Sequence, residues 1–139
     1  MEKLINKLFL VVLACNLNLF MVTASDSIRI SNIKETYRLN DTISISLLNT
    51  TSKEVACSCS FEFLKDSSWV VYKEDVLGKI PKAVAYLIIP SDESRGISID
   101  LESLKLIYLE NFEKNFYRLK FSTSDTGNVF YSSPFTVSP

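Results

Sequence analysis

Apolar and polar residues alternate along most of this chain, in short runs cut by turn residues at intervals of about 8 to 15 positions. The alternation is cleanest over residues 42–48. There Ile43, Ile45 and Leu47 share one face and Thr42, Ser44 and Ser46 the other, the period of two of a strand buried on one side. Val55, Cys57, Cys59, Phe61 and Phe63 form a second apolar face opposite Ala56, Ser58, Ser60 and Glu62. A third comprises Tyr117, Leu119 and Phe121, with Arg118 and Lys120 pointing the other way. Asp125-Thr126-Gly127-Asn128 then reverses the chain, Gly127 supplying the positive φ of a tight loop. Val129 and Tyr131 alternate with Phe130 on the return, and Ser132-Ser133-Pro134 interrupts the ladder before Phe135 and Val137 turn inward again.

The remaining segments fit the same plan. Residues 27–34 predict an edge strand with Ile28 and Ile30 on one face and a bulge before Ile33. Tyr37-Arg38-Leu39-Asn40-Asp41 and Asn49-Thr50-Thr51-Ser52-Lys53 predict turns. Lys65-Asp66-Ser67-Ser68 predicts another, leading into Trp69-Val70-Val71-Tyr72-Lys73, a strand paired with the cysteine strand and carrying the single tryptophan as a core anchor. Residues 73–81, with Gly78 and Pro81, predict the longest irregular connection. Residues 83–89 predict a buried strand, Pro90-Ser91-Asp92-Glu93-Ser94-Arg95-Gly96 a turn, and Ile97, Ile99 and Leu101 one more alternating strand. Leu104, Ile107, Tyr108 and Phe112 recur at helical spacing, so residues 102–114 predict a short helix or helical turns crossing from one sheet to the other. The fold class that follows is all-β, an antiparallel β-sandwich of seven to eight strands.

The N-terminus changes the domain boundaries. Lys3 and Lys7 precede the run Leu8-Phe9-Leu10-Val11-Val12-Leu13-Ala14, and Val22-Thr23-Ala24 offers small residues for cleavage. Basic, apolar and small-residue regions in that order predict a secretory signal peptide over residues 1–24 and one domain over residues 25–139. Asn16 and Asn18 interrupt the apolar run short of the ~20 residues of a spanning helix. Val12-Leu13-Ala14-Cys15 also resembles a bacterial lipobox, in which Cys15 would carry a lipid anchor. Cleavage after Ala24 and acylation of Cys15 are alternatives. Either places the domain outside the cytoplasm, as a secreted, periplasmic or envelope protein.

Charge and composition exclude more than they select. The net charge is −1 and the basic residues are scattered singly, without the stripe that neutralises phosphates, so nucleic acid is not an expected partner. The chain has no histidine, which removes the commonest general base and imidazole ligand together. Cys57-Ser58-Cys59 is too tight for the usual zinc spacer, so no metal or cofactor is expected. A disulfide between residues two apart on one strand lies at the limit of its geometry, which leaves free buried thiols, a strained bridge or pairing between chains as the alternatives. Asn40-Asp41-Thr42 and Asn49-Thr50-Thr51 have the form of N-glycosylation sequons at predicted turns. Tyr72, Tyr86, Tyr108 and Phe112 are either core or a binding face. Asp92 and Glu93 are the adjacent carboxylates an acid–base enzyme would need, on a turn that favours solvation.

Four stretches in order carry a family resemblance: Tyr37-Arg38-Leu39-Asn40-Asp41-Thr42-Ile43-Ser44-Ile45 with Asn49-Thr50-Thr51; Phe61-Glu62-Phe63 with Trp69-Val70-Val71; Ile89-Pro90-Ser91-Asp92-Glu93-Ser94; and Tyr117-Arg118-Leu119 with Ser133-Pro134-Phe135-Thr136-Val137. Together they resemble a bacterial immunoglobulin-like (Ig-like) domain of small secreted and lipid-anchored envelope proteins. Ser91-Asp92 and Asn115-Phe116 stand where that family has glycines, and the cysteine pair is outside its pattern. The resemblance implies an Ig-like sandwich with no catalytic residues. The expected function is therefore a non-enzymatic binding module for a protein or cell-surface ligand, using its loops or an edge strand. The alternative is a protease inhibitor presenting Glu74-Asp75-Val76-Leu77-Gly78-Lys79-Ile80-Pro81 as an extended loop.

Overall fold

Strict alternation over a polar-punctuated chain can bury its apolar positions only between two facing sheets, and the computed structural model, which describes residues 28–78 and 85–139, has that architecture. Its strands are β1 (Ile28–Ser31), β2 (Thr36–Arg38), β3 (Thr42–Asn49), β4 (Val55–Lys65), β5 (Ser68–Lys73), β6 (Leu87–Ile89), β7 (Ser94–Asp100), β8 (Phe116–Thr123), β9 (Val129–Tyr131) and β10 (Phe135–Ser138). The small sheet has the order β1-β3-β7 and the large one β2-β10-β8-β4-β5, with β6 beside β4 and β9 beside β8. That arrangement is the connectivity of an immunoglobulin-type sandwich. The residues predicted as a signal peptide, Cys15 among them, lie outside the described residues, as do Lys79, Ile80, Pro81 and the first two residues of the strand predicted over 83–89.

The core is the set of inward positions. Ile43, Ile45 and Leu47 from β3 face Cys57, Cys59 and Phe61 from β4 and Leu119 and Phe121 from β8, all buried. At one end an aromatic cluster forms around Phe61, whose ring centroid lies 5.5 Å from Tyr117 and 5.9 Å from Phe135, while Phe135 meets Tyr37 edge-on at 5.2 Å.

Several expectations are corrected. The ten strand segments exceed the predicted seven to eight because β9 and β10 are one line interrupted at residues 132–134 and because the short β2 forms where a turn was predicted. Ser132 fills that interruption: its hydroxyl accepts from the Leu119 amide at 2.9 Å, and its own amide donates to the Leu119 carbonyl. No bulge precedes Ile33. Instead β1 stops at Ser31, Asn32 takes a left-handed φ of 68°, and the chain leaves the small sheet for the large one. It arrives as β2, where Tyr37 is a buried strand residue rather than part of a turn, and pairs in parallel with β10. The sandwich is thus antiparallel except at that edge.

Trp69 is the largest departure. Asp66 and Ser67 both adopt positive φ (48° and 66°), a two-residue hairpin loop that sets Lys65 opposite Ser68 and Leu64 opposite Trp69. Leu64 shares the outward phase of Glu62, so Trp69 faces outward too and is only half-buried. Tyr72 takes the inward place, with its ring 6.5 Å from Phe61 and 6.3 Å from Phe63.

The crossing from β7 to β8 consists of helical turns, as expected, in three short 3-10 segments at Glu102–Leu104, Leu106–Tyr108 and Phe112–Lys114. Their inward set differs from the helical reading. Lys105 has a φ of 57°, which resets the phase so that Leu104 and Leu106 are buried while Ile107 and Tyr108 are exposed. Two tyrosine hydroxyls hold this segment to the large sheet: Tyr72 donates to the Leu104 carbonyl at 2.9 Å and Tyr117 to the Phe112 carbonyl at 2.7 Å. These positions separate the two roles of aromatic residues in stability. Phe61→Ala is expected to cost about 3–5 kcal/mol and Trp69→Ala only about 1 kcal/mol, read as shifts of the urea midpoint.

Candidate functional site

The outer face of the large sheet collects the side chains that the alternation directs away from the core. Glu62 and Leu64 come from β4, Arg118 and Lys120 from β8, Trp69 and Val71 from β5, and Val129 and Tyr131 from β9. Register places Glu62 directly opposite Arg118 and Lys120 opposite Tyr131. Arg118 Nε donates to Glu62 Oε2 at 2.7 Å, and Lys120 Nζ lies 3.9 Å from Oε1. The Arg118 guanidinium carbon lies 4.2 Å from the centroid of Trp69 and 3.8 Å from that of Tyr131, so the cation sits between two aromatic rings.

This packing covers Glu62, which retains only 4% exposure although its sequence position is a solvent-facing one. A carboxylate so buried requires a paired, hydrogen-bonded cation. Around the cluster Val71, Val129, Tyr131 and Phe116 remain exposed. The arrangement can hold a charge in a fixed place within an apolar surround; it offers no nucleophile paired with a base.

The other sequence candidates are dispersed. Asn49 is fully buried: its Nδ2 donates to the carbonyls of Lys53 (2.7 Å), Ile89 (2.9 Å) and Pro90 (3.2 Å), and its Oδ1 accepts from the Thr51 amide (2.9 Å) and hydroxyl (2.7 Å). A side chain tying three segments together has no room for a glycan, which corrects that expectation at Asn49, whereas Asn40 is exposed. Tyr86 and Tyr108 are exposed at separate places, Phe112 is half-buried and Tyr72 belongs to the core margin, so the four form no common face. Asp92 is an exposed turn residue with a φ of 57°, and Glu93 pairs with Arg95 at 2.7 Å in solvent.

Beside β6 and β7 a groove of about 430 Å³ is lined by Val76, Leu77, Leu87, Ile99 and Leu104. Asp75 shapes its rim by accepting from the amides of Leu77, Gly78 and Ala85 at 3.0–3.1 Å. Partial burial pushes its pKa up, but those three amides and the nearby Lys73 charge outweigh it and hold the carboxyl below its ordinary value. Val76 and Leu77 are half-buried against the core rather than extended into solvent.

Cys57 and Cys59 are free and buried. Burial pushes the Cys57 thiol up from 9.0 to about 11, and Cys59 is pushed further up, by burial first and then by Cys57 and Asp75. Thiolate, the reactive form, is therefore suppressed in the native state. Iodoacetamide at pH 8 is expected to leave both unmodified in the folded protein and to alkylate both in denaturant, as read by mass spectrometry. Since the folded form holds the Cys57 proton more tightly than the unfolded chain, its contribution to stability is complete below pH 9 and declines as pH rises from 9 towards 11. Urea midpoints should fall across that window.

No family model and no curated protein matches this chain. Among solved structures, it is similar to a β-glucosidase from Listeria innocua in complex with isofagomine, at 14% identity and a TM-score of 0.45, covering 81% of this chain and 16% of that one. It is also similar to the Pseudomonas fluorescens alkylpurine DNA glycosylase AlkC bound to DNA containing an abasic site analog (11% identity, TM-score 0.43, 88% of this chain and 33% of that one). A third is red sea bream transglutaminase (9% identity, TM-score 0.44, 81% and 16%). The chain thus spans a third or less of the length of each.

Proposed function

We propose that this chain is a non-catalytic binding module, exported or held at a cell envelope, that engages a protein on another molecule through the outer face of its large sheet. The observation that carries this reading is the arginine clamped between Trp69 and Tyr131 over buried Glu62, ringed by exposed Val71 and Val129. Aromatic and arginine side chains pre-ordered within an apolar surround are the composition of interface hot spots. Rigid side chains also lose little entropy on binding. The order of basic, apolar and small residues over 1–24 supports export, and the four stretches quoted above support membership of the bacterial Ig-like envelope domains. No observation favours the loop-presenting protease inhibitor, because Val76 and Leu77 rest on the core.

A photo-crosslinking amino acid at Val71, compared with one at Ser44 on the exposed face of the small sheet, tests the reading in cells that make the protein. Covalent adducts are expected from position 71 and not from position 44. Equal labelling, or none at position 71, would refute use of this face.

A further inference from the structure

We propose that Arg118 is a carboxylate receptor: its clamped guanidinium takes an aspartate or glutamate side chain displayed next to an apolar residue on a partner protein. This inference rests on the binding-face reading and names the chemistry it would recognise.

A guanidinium carries five N–H donors, one on Nε and four on the two terminal nitrogens. Glu62 uses Nε. Neither terminal nitrogen donates a hydrogen bond among the described residues, yet none of those residues has a buried side-chain nitrogen or oxygen without a partner. The terminal nitrogens therefore keep some contact with solvent, on a side chain that is 17% exposed. Their paired edge has the fork geometry that a carboxylate meets with two parallel hydrogen bonds.

Three features prepare that edge. The rings of Trp69 and Tyr131, at 4.2 and 3.8 Å, keep the guanidinium from swinging away, so little rotamer freedom remains to be lost on binding. Charge is unbalanced, because Arg118 and Lys120 share the single carboxylate of Glu62, and an incoming anion would complete the pairing. Exposed Val71, Val129 and Tyr131 supply apolar contact for the residue next to that anion.

The occupant is a carboxylate on a protein surface rather than a small free acid, since an open sheet face encloses little of a small ligand whereas binding pockets cover most of it. A second copy of this chain docked face to face would bring the Arg118 and Lys120 pairs of both molecules together, a like-charge arrangement that costs affinity.

Trp69 is the only tryptophan in the chain, so its emission reports on this site directly. The probe is acetyl-phenylalanyl-glutamyl-leucine amide, with its glutamine counterpart, inorganic phosphate and acetate as comparisons. A saturable emission change is expected with the glutamate peptide, with the glutamine peptide about tenfold weaker or more. Arg118→Lys, which keeps the charge over Glu62 and should keep the cooperative melting transition, is expected to weaken the glutamate peptide about tenfold by losing the fork. Tyr131→Leu, an exposed change that opens the clamp, provides a second variant expected to weaken it as well.

Equal responses to the two peptides, stronger binding of phosphate than of the glutamate peptide, or no saturation with either peptide up to about 10 mM would each overturn the receptor. If the peptides fail while the crosslinker at Val71 still captures a protein, the carboxylate chemistry falls and the binding face stands. If both fail, both fall.

Discussion

The pairing of β4 with β8 governs the rest of this molecule. Seven residue pairs run without interruption from Cys57 opposite Thr123 to Phe63 opposite Tyr117, at the centre of the large sheet. That one register sends Cys57, Cys59 and Phe61 inward beside Phe121, Leu119 and Tyr117, and it sets Glu62 against Arg118 on the other side. A slip by one residue would exchange the faces, exposing the apolar set and driving Glu62, Arg118 and Lys120 into the core. Core and candidate site are two sides of the same constraint.

The edges of the sandwich follow from that centre. The two-residue loop at Asp66 and Ser67 extends β4 into β5 in the only register that places Trp69 beside the Glu62–Arg118 pair. Ser132 occupies the break between β9 and β10, so Tyr131 still aligns with Lys120 and closes on Arg118 from the opposite side. The guanidinium does two jobs in this arrangement. It neutralises a carboxylate that packing has removed from water, and it fills the space between the rings of Trp69 and Tyr131. The cost of burying Glu62 is one that an apolar residue at the same position would avoid.

The crossing segment between the sheets depends on a different device. Its 3-10 turns have poor hydrogen-bond geometry of their own. Leu101, Leu104 and Leu106 bury in the core, the Tyr72 hydroxyl takes up the Leu104 carbonyl, and the Tyr117 hydroxyl adds a second bond to the Phe112 carbonyl, which also accepts from the Asn115 amide. Asn49 performs the comparable service at the other end, joining the end of β3 to the residues before β4 and after β6. Among the described residues no buried side-chain nitrogen or oxygen lacks a partner, as a low-dielectric interior demands.

The sequence by itself determined the sheet class, the inward faces of β3, β4, β8 and β10 and the crossing by helical turns, because alternation of period two and turn chemistry are local properties of a chain. It also contained the tight loop after Lys65, from which the outward phase of Trp69 follows once each residue is counted across the hairpin. Tertiary structure alone decided which outward residues are truly exposed. Glu62 and Arg118 are separated by more than fifty positions, and nothing near either announces its partner. The same holds for Asn49, two of whose three acceptors lie some forty residues away, and for β2, whose parallel partner is the C-terminal strand. Burial of a polar side chain depends on what the rest of the fold brings over it, and local periodicity carries no information about that.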